Sequence, residues 1–166
     1  MVIKTVVYTD GASTPKQKPG RATSAAVCIF EQESGRTRIM EIGKFIGDTT
    51  NGVSELMGVE LAVLGHKSVA PGSPLEVITD SQYVRGIFTR KGDEWEYRAK
   101  KNVELVWRIR KKLPEHFTIN WVKGHDENRY NERADAICQL VKDTGKSWFA
   151  LYDENTEPPE LKGFDQ

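Results

Sequence analysis

Runs of strand-forming residues, not a helical period, open the chain. "IKTVVYTD", "TSAAVCIFEQ" and "RTRIMEIGKFIG" are each about a strand in length, and turns bearing Gly, Pro and Ser separate them. No helical segment intervenes, so the three predict an antiparallel meander. The period changes at "SELMGVELAVLGHKSV", where Leu56, Val59 and Val63 recur at helical spacing among good helix formers. "APGSP" stops that helix, and "LEVITD" reads as a short buried strand. "SQYVRGIF" reads as a short helix running into the charged segment "TRKGDEWEYRAK". An amphipathic helix follows in "KNVELVWRIRKKL", with Val103, Val106 and Trp107 on one side and Arg108, Lys111 and Lys112 largely outside, and Pro114 ends it. "FTINWVKGH" is another strand, and "YNERADAICQLVKDTG" another helix closed by Gly145.

Strands that alternate with helices in the second half imply right-handed crossovers and a parallel portion. Added to the meander, this predicts an α/β fold: a mixed five-stranded sheet, three antiparallel strands and then parallel ones, with helices on both faces. Residues 1–145 are expected to form one domain. Residues 146–166, with "EPPE", read as an irregular acidic tail.

Composition narrows the class. Of the 166 residues, 38% are hydrophobic and 29% charged, the balance of a soluble globular protein. No apolar run approaches the ~20 residues that cross a bilayer, and "MVIKTVVYTD" lacks the features of a secretory signal. Cys28 and Cys138 form neither a metal motif nor a disulfide framework; both read as small core residues in a reducing compartment. A cytoplasmic monomer is the expectation.

A formal net charge of zero speaks against a nucleic-acid partner only until its distribution is read. Five acids stand against Lys162 alone from Leu151 onward, which leaves the first 150 residues at net +4. Between Arg85 and Lys112, ten Lys and Arg face four acids. The body carries a basic sector that the tail conceals in the sum.

Two segments share a form: "VVYTDGAS" ends at Asp10 and "LEVITDSQ" at Asp80, each an apolar run, Thr, Asp and a small residue. If the two strands are parallel neighbours, both aspartates lie side by side at one sheet edge. Glu55 in "SELMGVEL" and Asp135 in "NERADAI" are helical acids that complete a candidate set. Each has a structural alternative: Asp10 a turn residue, Asp80 a helix cap, Glu55 a favourable charge at a helix start, Asp135 a solvated surface acid. Four clustered carboxylates without matching bases are tolerable only beside cations, and hard oxygen donors select Mg²⁺ or Mn²⁺ over zinc. Two such ions ~3.5–4 Å apart can activate water and stabilise a leaving oxygen in phosphodiester hydrolysis.

At this point the sequence resembles a known family, the type 1 ribonucleases H. The resemblance runs through most of residues 1 to 142, in "YTDGAS", "TTNGVSELMGVELAVL", "TDSQYV", "KNVELVW" and "WVKGHDENRYNERADAICQ". The most specific parts are "TDSQYV" and the "WVKGH…NERAD" block, in which His125 and Asp135 stand ten residues apart.

The resemblance implies that Asp10, Glu55, Asp80 and Asp135 are the catalytic carboxylates that bind two Mg²⁺ ions, with Mn²⁺ as a substitute. It implies endonucleolytic cleavage of the RNA strand of an RNA–DNA hybrid, leaving 5′-phosphate and 3′-hydroxyl ends. His125 would serve proton transfer or product release, within its titration range. Thr50 would lie near a DNA phosphate, Asn51 and Gln82 would contact 2′-hydroxyls, and Trp95 would stack on the substrate from a shortened basic segment. The chain departs from the family pattern in having Gly52 where many members have a second asparagine, and in the loop "GASTPKQKPG". Two other readings stand below this one: a resolvase- or integrase-type nuclease of the same broad fold, and a non-catalytic hybrid-binding module. The first uses three acids in a different order and lacks the "WVKGH" loop; loss of an acid would favour the second, and all four are present.

Overall fold

The computed structural model describes residues 1–14, 16–89, 94–124 and 128–162, apart from the Tyr97 side chain. Among the described residues six strands form one mixed sheet in the order β5-β4-β1-β2-β3-β6. β1 (Val2–Ala12), β2 (Ala22–Gln32) and β3 (Thr37–Gly47) make the expected antiparallel meander. β4 (Leu75–Thr79) lies parallel to β1, and β5 (Phe117–Trp121) parallel to β4.

Helices cover both faces. α1 (Asn51–Val69), α2 (Gln82–Thr89), α3 (Glu94–Ala99) and α4 (Val103–Arg110) share one apolar cluster with Val7, Ala26, Cys28 and Phe30. α5 (Arg129–Thr144) packs Ala134, Ile137, Cys138 and Val141 against Ala25, Val27 and Ile39 on the other face. β2 is sandwiched between them, which is why "TSAAVCIF" shows no polar alternation. α5 approaches β3 closely: a Cβ on Gly43 would stand 2.6 Å from Ile137 Cγ2 and 2.8 Å from Val141 Cγ2.

The sheet has one strand more than expected. β6 (Trp148–Asp153) pairs antiparallel with β3 inside the segment read as an irregular tail. Its pattern has period two: Trp148 and Tyr152 join the α5 cluster, whereas Phe149 and Leu151 are 65% and 48% exposed. The partner that makes the strand worthwhile is buried Glu41 of β3, which accepts hydrogen bonds from Trp148 Nε1 (3.1 Å) and the Tyr152 hydroxyl (2.7 Å). Beyond β6 the chain returns over α5, with Leu161 against the same cluster. No helix among the described residues is long and apolar enough to cross a membrane.

Trp107 also departs from expectation. Val106 and Ile109 face the core, and one residue further round the helix Trp107 is 54% exposed.

Candidate active site

The parallel pairing of β1 with β4 sets Thr9 beside Thr79, so Asp10 and Asp80, the next residue of each, lie side by side. β4 ends there as expected, whereas β1 does not end at Asp10 but runs on to Ala12, because β2 continues to pair with it. Asp10 is buried, and the Gly11 N–H donates to its Oδ1 at 2.9 Å. Gly11 passes directly under the first turns of α1: a Cβ there would stand 2.5 Å from the Ser54 carbonyl carbon and 2.6 Å from the Glu55 nitrogen. No larger residue fits, which answers why a glycine follows Asp10. Trp121 Nε1 donates to the Asp80 main-chain oxygen at 3.0 Å, and Val122 N to that of Thr79 at 2.9 Å. Gly124 lies against Asp80, where a Cβ would come within 3.2 Å of Oδ2.

Glu55 is the fifth residue of α1, since the helix begins at Asn51, earlier than its apolar period suggests. Thr50 is the N-cap, accepting the Val53 N–H at 3.3 Å. Asn51 Nδ2 donates to Glu55 Oε1 at 2.7 Å. Burial raises the Glu55 carboxyl above its ordinary range and the Asp80 charge adds to this, against hydrogen bonds from Ser81 and Asn51.

Asp10 is strongly perturbed. Burial first, then the charges of Asp80 and Asp135 and a hydrogen bond with Asp135, push it up to about 8, while the Gly11 N–H opposes. The four expected carboxylates are thus one electrostatic array: Asp10 feels Asp80 and Asp135, and Glu55 feels Asp80. Among the described residues no three of the His, Cys, Asp and Glu side chains are drawn into a ready ion cage. The Asp10 and Asp135 carboxyls lie close enough to interact directly. An all-oxygen donor set carrying excess negative charge fits Mg²⁺ or Mn²⁺.

Beside Glu55 a cleft of about 420 Å³ runs between the start of α1, with Thr50, Asn51 and Gly52, and the segment Tyr83, Lys100, Lys101 and Asn102. The Tyr83 hydroxyl donates to the Ala99 oxygen and accepts from Asn102 Nδ2, both at 2.8 Å. Lys100 has a left-handed φ of 55°. Gly52 suits this wall: a Cβ there would already be 3.3 Å from the Tyr83 ring. Sequence reasoning did not single out Tyr83, Lys100, Lys101 or Asn102; the basic pair in "AKKN" at the entry to α4 was the available signal.

Gln82 is exposed at the start of α2, two residues from Asp80. Trp95 is not available for stacking on a substrate. It is 6% exposed, part of the core cluster, with Trp107 stacked on it at 6.3 Å and the Arg110 guanidinium 4.9 Å from its ring centre. α3 thus turns Trp95 into the core rather than toward solvent. His125 lies outside the described residues.

The family model described as RNase H matches residues 3–142. The chain belongs to the ribonuclease H family. A ribonuclease H of Hahella chejuensis is 34% identical over 148 residues, covering 83% of this chain and 93% of that protein. Among solved structures, LC9-RNase H1, "a type 1 RNase H with the type 2 active-site motif", superposes with a TM-score of 0.78 at 18% identity, covering 93% of this chain and 79% of that one. LC11-RNase H1 in complex with an RNA/DNA hybrid superposes with a TM-score of 0.62 at 21% identity, covering 86% and 99%. The ribonuclease H match ends at residue 142, so β6 and the segment after it fall outside it.

Proposed function

We propose that the chain is an endonuclease that hydrolyses the RNA strand of RNA–DNA hybrids by a two-metal-ion reaction, giving 5′-phosphate and 3′-hydroxyl products. The observation that carries this reading is the convergence of Asp10 with Asp80 and Asp135, and of Asp80 with Glu55, at one end of the sheet. Its relatives named ribonuclease H, and the likeness to a fold solved with an RNA/DNA hybrid, support the same reading.

In this proposal Asp10, Glu55, Asp80 and Asp135 hold two Mg²⁺ ions, for which Mn²⁺ substitutes. The chemistry such ions supply when bound is activation of the attacking water and stabilisation of the departing 3′-oxygen. The chain's own groups orient the reaction. Asn51 holds the Glu55 carboxylate, Trp121 anchors the Asp80 backbone, and Gly11 lets the strand end approach α1. Lys100 and Lys101 line the cleft beside Glu55 and would neutralise backbone phosphates, while Asn51 and Gln82 would read 2′-hydroxyls in the shallow groove. His125 is assigned proton transfer or product release.

The test is one end-labelled RNA, presented single-stranded, annealed to RNA and annealed to DNA, with Mg²⁺ or EDTA and with the Asp10→Asn variant. Cleavage of the hybrid's RNA alone, lost with EDTA and in the variant, is the expected result. Tight hybrid binding without cleavage, even with Mn²⁺, would leave a binding module instead.

A further inference from the structure

Glu41 is completely buried in the middle of β3, facing α5. Four donors converge on its carboxylate. Arg133 Nε lies 2.6 Å from Oε2 and Arg133 Nη2 lies 2.9 Å from Oε1; Trp148 Nε1 and the Tyr152 hydroxyl supply the other two. Arg133 Nη2 also donates to the Pro159 oxygen at 2.7 Å. A carboxylate offers about four acceptor positions, and here all are filled. α5 and β6 are thus tied to one buried acid on the central sheet, and the segment after β6 is tied to the same Arg133.

Arg133 and Asp135 stand two residues apart on α5, which places them about 200° apart around the helix axis. One reaches toward β3 and β6, the other toward the end of β1 and Asp10. Between them, Ala134, Ile137, Cys138 and Val141 rest on the sheet. Apolar contact is non-directional and resists a small roll of the helix weakly. The Arg133 fork on Glu41 is directional and resists it strongly. A carboxylate about 5 Å off the helix axis moves by about 1.3 Å for a 15° roll, whereas ion ligands must lie within about 0.2 Å of their working distance.

We propose that Glu41 and Arg133 are positioning residues for Asp135, and that β6, which fixes Glu41 through Trp148 and Tyr152, and the segment after it, whose Pro159 oxygen accepts from Arg133, belong to the active-site support. The proposal rests on the metal-dependent reading above, and it concerns how tightly the ions are held. The carboxylate–guanidinium pair acts through α5 and touches no substrate.

The test compares wild type with Glu41→Gln, Arg133→Lys and Tyr152→Phe. Glu41→Gln risks misfolding because it leaves a guanidinium unpaired; Tyr152→Phe removes only one hydroxyl, and Arg133→Lys keeps the charge but loses the fork. Mn²⁺ binding is measured by titration calorimetry without nucleic acid, together with thermal unfolding, the Mg²⁺ dependence of cleavage and the KM for hybrid. Loss of ligand support of this kind weakens metal affinity about 10–100-fold. Arg133→Lys is expected to weaken Mn²⁺ binding about tenfold and raise the Mg²⁺ needed for half-maximal rate by a similar factor, with hybrid KM unchanged. Tyr152→Phe is expected to move both in the same direction by about threefold. Folded variants with wild-type Mn²⁺ affinity, whether or not their melting points fall, overturn the proposal. A wild-type chain that binds Mn²⁺ yet cleaves no hybrid overturns the functional reading alone.

Discussion

Gly11 lies so close beneath Ser54 that a Cβ added to it would stand 2.5 Å from the Ser54 carbonyl carbon. The end of β1 and the start of α1 are therefore in backbone contact, and this contact sets Asp10 and Glu55 in one site. Gly11→Ala forces the two elements apart. The expected outcome is a loss of about 1–3 kcal/mol in stability from overpacking and at least a hundredfold fall in kcat, since a displacement of about 1 Å is enough for that. Urea unfolding and single-turnover cleavage check both; a variant with wild-type cleavage would show that the contact does not set the site.

The raised Asp10 carboxyl makes the metal-free fold sensitive to alkali. Unfolded, Asp10 ionises near its ordinary 3.8; folded, near 8. Between these values the folded chain keeps a proton that the unfolded chain has released, so this contribution to stability is greatest below pH 4 and is lost as the pH rises toward 8. Asp10→Asn removes the penalty. In EDTA at pH 8 the variant is expected to be more stable than wild type by a few kcal/mol, on the order of 5 °C or more in Tm, with the gap closing toward pH 4. Mg²⁺ should raise the Tm of wild type at pH 8 and leave Asp10→Asn nearly unchanged. A gap that is constant with pH would refute the assignment.

The two stacked tryptophans should separate cleanly. Trp95→Ala opens a hole in the core and is expected to cost about 3–5 kcal/mol. Trp107→Ala, half exposed, is expected to cost about 1 kcal/mol, the worth of an aromatic pair. Denaturant midpoints decide it. Equal costs, or a Trp95 variant of normal stability with weakened hybrid binding, would restore the substrate role for Trp95.

Lys100 and Lys101 line the cleft beside Glu55. Replacing each by Ala is expected to reduce the slope of log affinity against log salt by roughly one, raising KM for hybrid while leaving kcat within about twofold. Fluorescence anisotropy at several salt concentrations measures the slope; an unchanged slope would mean the hybrid does not cross this cleft.

Local pattern determined much of this protein. The meander, α1, Asp10 and Asp80 at matching places on neighbouring strands, and the Gly145 stop of α5 follow from period, turn chemistry and capping, which neighbouring residues settle among themselves. The same applies to the four carboxylates as candidates, because their residue types and spacing are written in the chain.

What only the tertiary structure decided involves partners distant in sequence. β6 became a strand because Trp148 and Tyr152 found Glu41, more than a hundred residues earlier. Trp95 turned inward because α3 packs on α2 and α4, and Trp107 outward because α4 sets Val106 and Ile109 against the core, against the side the helical period suggested for it. The charge state of Asp10 belongs to the same class. Its burial and its neighbours Asp80 and Asp135 come from three different elements, and desolvation and like-charge repulsion exist only once those elements have packed.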